Sequence, residues 1–138
     1  MPHPLTRSRR TGHPGYSQTL PRDPASVCAA RRLVRGVLVG WGLEELADDG
    51  ALIVSELVAN AVLHARRDSV RVSVDRPAAR RVRVAVVDFS PRPPVATDPG
   101  PWDEGGRGLT LVAALAADWG TEPLPWGKRV WAEVAGRA

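Results

Sequence analysis

The sequence predicts an α+β sandwich: a mixed, mainly antiparallel sheet with helices packed on one face. Three observations predict it. Apolar residues recur at helical spacing through two consecutive stretches before residue 65, valines then alternate with polar residues in two short runs, and a Pro- and Gly-rich segment leads into a third helix and a closing hairpin. At 138 residues the chain is long enough for one core and shows no internal repeat.

Residues 1–16, MPHPLTRSRRTGHPGY, combine prolines and glycines with Arg7, Arg9 and Arg10, and offer little to bury. They are expected to be a disordered basic leader, with residues 17–138 forming the domain. The leader has no apolar run of the kind a secretory signal carries after its charges, so the chain is expected to be cytoplasmic. Ser17 to Leu20 reads as a short edge strand. Asp23-Pro24 then supplies an N-cap followed by proline at the first helical position. Val27, Leu33, Val34, Val37, Leu38 and Trp41 follow at helical spacing, which predicts a helix from Pro24 to Val39 that stops near Gly40 and Gly42. A second helix is expected from Leu46 to His64, with Gly50 inside it or in its first turn.

Val70, Val72 and Val74 alternate with Arg71 and Ser73, and Val82, Val84 and Val86 with Arg83 and Ala85. With DRPAAR as a turn between them, they predict an antiparallel hairpin. The segment SPRPPVATDPGPWDEGG, residues 90–106, is too rich in Pro, Gly and Asp for a regular element and too long for an ordinary connection, which marks a functional loop. Gly108 to Ala117 reads as a short helix with Leu109, Val112 and Leu115 on one face. The last strand is expected from Arg129 to Val134, after a turn at Pro125 to Lys128.

Composition removes several classes of function. No apolar stretch reaches the roughly 20 residues that cross a bilayer. The net charge of +4 owes three charges to the leader, so the rest of the chain is close to neutral and presents no basic, aromatic-interleaved motif. Neither direct nucleic-acid contact nor membrane contact is expected. The single cysteine, Cys28, forms no internal disulfide and is expected to be an inert, buried thiol. The five tryptophans are assigned to packing, except Trp102 in the loop, whose fluorescence is expected to respond to a ligand.

The candidate site begins with VSELVANAVLHA, residues 54–65, an apolar helical run interrupted at four-residue steps by Glu56, Asn60 and His64. Such steps turn about 400°, so the three form one polar stripe. Leu52, Ile53, Leu57, Val58, Ala59, Ala61, Val62 and Leu63 leave little of the circumference for water. A carboxylate and a carboxamide on adjacent turns offer the oxygen ligands that a hard cation such as Mg²⁺ or its waters prefer; from the helix alone, a simple solvated face is the better reading of the stripe. Asp88 ends an apolar strand, where its carboxylate is placed to accept a hydrogen bond from an exocyclic amine. GGRGL, residues 105–109, sets glycines before a helix N-terminus, a suitable place for phosphate.

In this order, ELVANAVLHA, VVDFSPRPP, GGRGL and WGKRVW resemble the motifs of the GHKL (Bergerat) ATP-binding fold shared by histidine kinases, Hsp90, gyrase B and MutL. The length and the run ADDGALIVSELVANAVLHA are most similar to its actinobacterial RsbW-like branch, the anti-sigma factor serine/threonine kinases. The resemblance covers Ser17 to the C-terminus. It implies ATP and Mg²⁺ as cofactors, with Asn60 on the metal, Glu56 as the catalytic residue that orients a metal-bound water or acts as general base, and Asp88 on the adenine amine. Gly106, Arg107, Gly108 and Leu109 would line the triphosphate, and the loop before them would be an ATP lid. The implied partners are a sigma factor, sequestered by the chain, and an anti-anti-sigma (STAS) protein, phosphorylated by it; a homodimer is also implied. An alternative on the same fold is a non-catalytic or nucleotide-free interaction module. Two departures bear on nucleotide affinity: Asp88-Phe89-Ser90 replaces the usual Asp-x-Gly, and Arg129 stands where the family often has threonine after Gly-Lys.

Overall fold

A computed structural model of the chain describes residues 6–7, 15–64, 68–89 and 107–136. The elements, in chain order, are β1 (Thr6–Arg7), β2 (Gly15–Pro21), α1 (Ala25–Gly40), α2 (Ala47–His64), β3 (Ser69–Ala78), β4 (Arg81–Phe89), α3 (Arg107–Leu115), β5 (Asp118–Leu124) and β6 (Gly127–Ala135). The six strands form one sheet in the order β1-β2-β3-β4-β6-β5. Every pairing among the described residues is antiparallel, so the sheet is not mixed as the sequence suggested.

The expected α+β sandwich is present, and its two-sided character follows from strand alternation. Val70, Val72 and Val74 of β3, Val82, Val84 and Val86 of β4, and Val130, Ala132 and Val134 of β6 share one face. That face packs against Ala30, Val34 and Leu38 of α1, Ile53, Val54, Leu57, Val58 and Ala61 of α2, and Val112 of α3. Each fully buried Val or Leu contributes about 1.5–3 kcal/mol relative to exposure, so this layer is the main source of stability.

Local chemistry explains the element ends. Asp23 Oδ1 accepts the backbone N–H of Ala25 at 2.8 Å, which caps α1 across Pro24 as expected. At the other end Gly42 adopts φ 75°, and the Leu43 N–H reaches back to the Leu38 carbonyl at 2.8 Å. This closure needs a left-handed residue, which glycine supplies without steric cost. A single 3₁₀ turn, Glu44–Leu46, then leads into α2. Gly50 lies inside α2, and a Cβ there would sit 3.1 Å from Val34 Cγ1 and 3.2 Å from Leu38 Cδ2. The glycine that blurred the boundary in the sequence is therefore what lets α1 and α2 approach.

Several expectations are corrected. β2 starts at Gly15 and is not an edge, because Thr6–Arg7 pairs outside it with Ser17 and Tyr16. Two parts of the expected leader, 6–7 and 15–16, are thus strand; the rest of it lies outside the described residues. β3 runs on through Arg76 and Pro77 with a register shift between Asp75 and Ala78, which shrinks the hairpin turn to Ala79 and Arg80. β6 begins at Gly127, and β5 precedes it as a full edge strand. Cys28 is exposed, because the buried stripe of α1 runs through Ser26, Ala30, Val34 and Leu38 and turns residue 28 outward. Trp41 packs near Tyr16, ring centroids 6.1 Å apart, and Trp131 lies under the Arg83 guanidinium, but Trp126 is 52% exposed. The loop expected at 90–106, with Trp102, lies outside the described residues. No described helix is long and apolar enough to cross a membrane.

Candidate functional site

The candidate residues lie on α2, which packs against β4, and at the end of β4 itself. Alternation along β4 carries the inward face from Val82 through Val84 and Val86 to Asp88, so the strand that builds the core ends by delivering a carboxylate to its margin. Asp88 is 6% exposed. A buried charge at such a position is costly unless the protein or a ligand engages it. The side chain is engaged within the protein, and its Oδ1 is a buried oxygen that accepts no hydrogen bond there.

The neighbouring strand fixes this carboxylate from one side. Gly127 faces Phe89, and a Cβ on Gly127 would collide with the carbonyl oxygen of Asp88. The start of β6 is therefore held against the end of β4 more closely than any other residue type allows. Lys128 lies directly opposite Asp88, and Arg129 opposite Val87. Directly opposed residues in an antiparallel pair project to the same face. Lys128 thus shares the face of Asp88, while Arg129, singled out from the sequence, is on the other face with its Nη1 3.9 Å from Glu122 Oε1. Phe89 likewise projects away from Asp88, and Ser90 lies outside the described residues.

The polar stripe of α2 is present but less enclosed than expected. Glu56 and Asn60 are both half-buried, at the border between the face that carries Ile53, Leu57 and Ala61 and the solvent face. Leu52 and Leu63, counted in the sequence among residues that exclude water, are 42% and 73% exposed. They open one side of the stripe. His64 is the last residue of α2. Beside α2 packs α3, whose first residues are Arg107, Gly108 and Leu109. Its start agrees with the expected helix to within a residue and its end falls two residues earlier, at Leu115; Gly106 lies outside the described residues.

Among the described residues no group of three or more His, Cys, Asp or Glu forms a metal cage. The donors fit a different arrangement, in which Mg²⁺ takes one or two protein oxygens and completes its shell with water and phosphate oxygens. Asn60 would provide the protein oxygen and Glu56 a water contact one turn away. Asp88 would take the base, and the α3 N-terminus the phosphates. The residues present therefore fit a magnesium nucleotide.

An antiparallel sheet covered by helices on one face is the α+β architecture expected of the GHKL (Bergerat) ATP-binding fold. The histidine kinase-like ATPase domain family matches residues 20–132, and the chain belongs to that family. Domains of this family bind ATP, usually with Mg²⁺. No curated protein matches the chain.

Sequence reasoning singled out Glu56, Asn60, Asp88 and the start of α3, and passed over Lys128 and Gly127, which the sheet sets beside Asp88. The alternation of Val130, Ala132 and Val134, carried back one step, puts Lys128 on the inward face; that it meets Asp88, and that Gly127 meets Phe89, is visible only once β4 and β6 are paired.

Proposed function

We propose that the chain is an ATP-dependent serine/threonine protein kinase of the anti-sigma factor type, which phosphorylates a STAS-type anti-anti-sigma protein and sequesters a sigma factor. The observation that carries this reading is Glu56 on the half-buried border of α2, one turn before Asn60. ATP, when bound, supplies the phosphoryl group. Glu56 holds a carboxylate where the proton of an incoming hydroxyl can be accepted, and catalysis of this kind consists mainly of positioning and charge stabilisation. Asn60 orients the metal side, and Asp88 anchors the base away from the reacting end.

Titration calorimetry of ATP into the chain, with and without Mg²⁺, tests the binding half. Magnesium-dependent binding is expected, with Asn60→Ala reducing it at least tenfold; indifference to both the metal and the substitution would count against the assignment. The catalytic half is tested by Glu56→Gln, which should retain ATP binding and lower phosphoryl transfer to a STAS substrate by about 10²–10⁴-fold.

A second reading, a non-catalytic interaction module, is favoured by one observation: Leu52 and Leu63 are exposed on the same helix as Glu56. In that case ATP occupancy would alter partner binding, and Glu56→Gln would change nothing measurable in turnover.

A further inference from the structure

We infer that Lys128 is a second base-reading residue, which donates a hydrogen bond to a ring nitrogen flanking the amine that Asp88 accepts. The inference rests on the nucleotide-binding reading above and assigns a specificity role within that site. Its first support is register. Asp88 and Lys128 are directly opposed across β4 and β6, next to the inward pair Val86 and Val130. Opposed residues have Cβ atoms about 4.5–5.5 Å apart and a common face. Its second support is rigidity, because the contact between Gly127 and the Asp88 carbonyl oxygen leaves no slack between the two backbones at this point. The relative position of the carboxylate and the lysine stem is therefore set by the sheet itself.

The chemistry of the pair then selects a ligand edge. An ionised carboxylate only accepts hydrogen bonds and an ammonium only donates them. Side by side they suit a group that presents a donor next to an acceptor. The adenine amine is flanked by two such acceptors, N1 and N7, one on each side. Lys128 is half-buried and Asp88 buried, and both are engaged in polar or electrostatic contacts. A hydrogen bond from a partly desolvated ammonium counts for more than one made in open water. A lysine here does more than balance the charge of Asp88: it makes the base site two-pronged.

The test is calorimetric titration of the full chain, in the presence of Mg²⁺, with ATP, 1-deaza-ATP and 7-deaza-ATP. Each analogue replaces one flanking nitrogen by CH and keeps the amine. Wild type is expected to bind one of the two analogues at least tenfold more weakly than ATP, the loss that follows from removing one charge-assisted hydrogen bond. Lys128→Met, shown to be folded by its unfolding midpoint, is expected to bind ATP about tenfold more weakly than wild type and the sensitive analogue as well as it binds ATP. Lys128→Arg should keep the discrimination. Equal binding of all three nucleotides by wild type, a measurement that needs no variant, would overturn the inference and leave the nucleotide site standing. Retained discrimination in Lys128→Met would do the same. Failure of folded wild type to bind ATP at all would remove the reading on which it rests.

Discussion

Glu133 shows what one residue does on the sheet face turned away from the helices. It is 5% exposed and takes hydrogen bonds from Arg81 and from Arg83 Nε, the latter at 2.7 Å. Burial by itself raises its carboxyl pKa, but the hydrogen bonds and charges of Arg81 and Arg83 outweigh it and hold the pKa below the ordinary carboxylate value. The folded-state pKa is the lower one, so this stabilisation is complete above the unfolded value of about 4.3 and fades as pH falls through the folded value. Glu133→Gln should therefore cost about 1–3 kcal/mol at pH 7, with the gap to wild type closing in more acidic solution; urea unfolding across that range checks it. Gly127→Ala is a second prediction at this scale. The added methyl has nowhere to go, so about 1–3 kcal/mol of stability should be lost together with nucleotide affinity, because the methyl displaces the backbone of Asp88. Asp88 was legible in the sequence because an apolar alternation that ends in Asp names both the residue and its face. Arg129 was singled out from the resemblance and not from alternation, and the alternation of Val130, Ala132 and Val134 puts it on the face away from Asp88.

At the scale of elements, α2 was legible as a helix from periodicity and illegible in its surroundings. Periodicity says which residues share a stripe; only the packing of α1, α3 and the sheet says which stripe stays wet. The consequence is testable on both sides of the helix. Gly50→Val should destabilise by about 1–3 kcal/mol, because the new side chain meets Val34 and Leu38, whereas Leu63→Lys should stay within about 0.5 kcal/mol of wild type. Denaturant midpoints of the two variants distinguish a helix buried on one side from one buried all round. The hairpin of β5 and β6 was foreseen as a closing strand and turn, but β5 was missed as a regular element. DWGTEPL lacks the Val alternation of β3 and β4, and most of its residues are exposed, as suits an edge strand. Pro123 sits in that edge, where a missing N–H is tolerated and discourages pairing with another chain.

At the scale of the whole molecule, the fold class was read correctly because its evidence is distributed: helical periods, then alternation, then a glycine-rich passage into a last helix. The candidate site was legible in part, because the residues singled out on α2, β4 and α3 each carry a local signature, while Lys128 of β6 comes beside Asp88 only after strands are paired. Strand order also dictates how the chain reaches this state. β3 with β4, and β5 with β6, join across two-residue turns, whereas β2 must wait for α1 and α2 to fold before Leu20 can meet Val70, about 50 residues away. Contacts so distant in sequence slow folding and usually form late. Refolding kinetics should therefore show Val72→Ala slowing the folding limb and Leu20→Ala mainly speeding the unfolding limb. The order of assembly would then run from local hairpins to global closure, with the helical pair acting as the tether that sets the timing of the last strand.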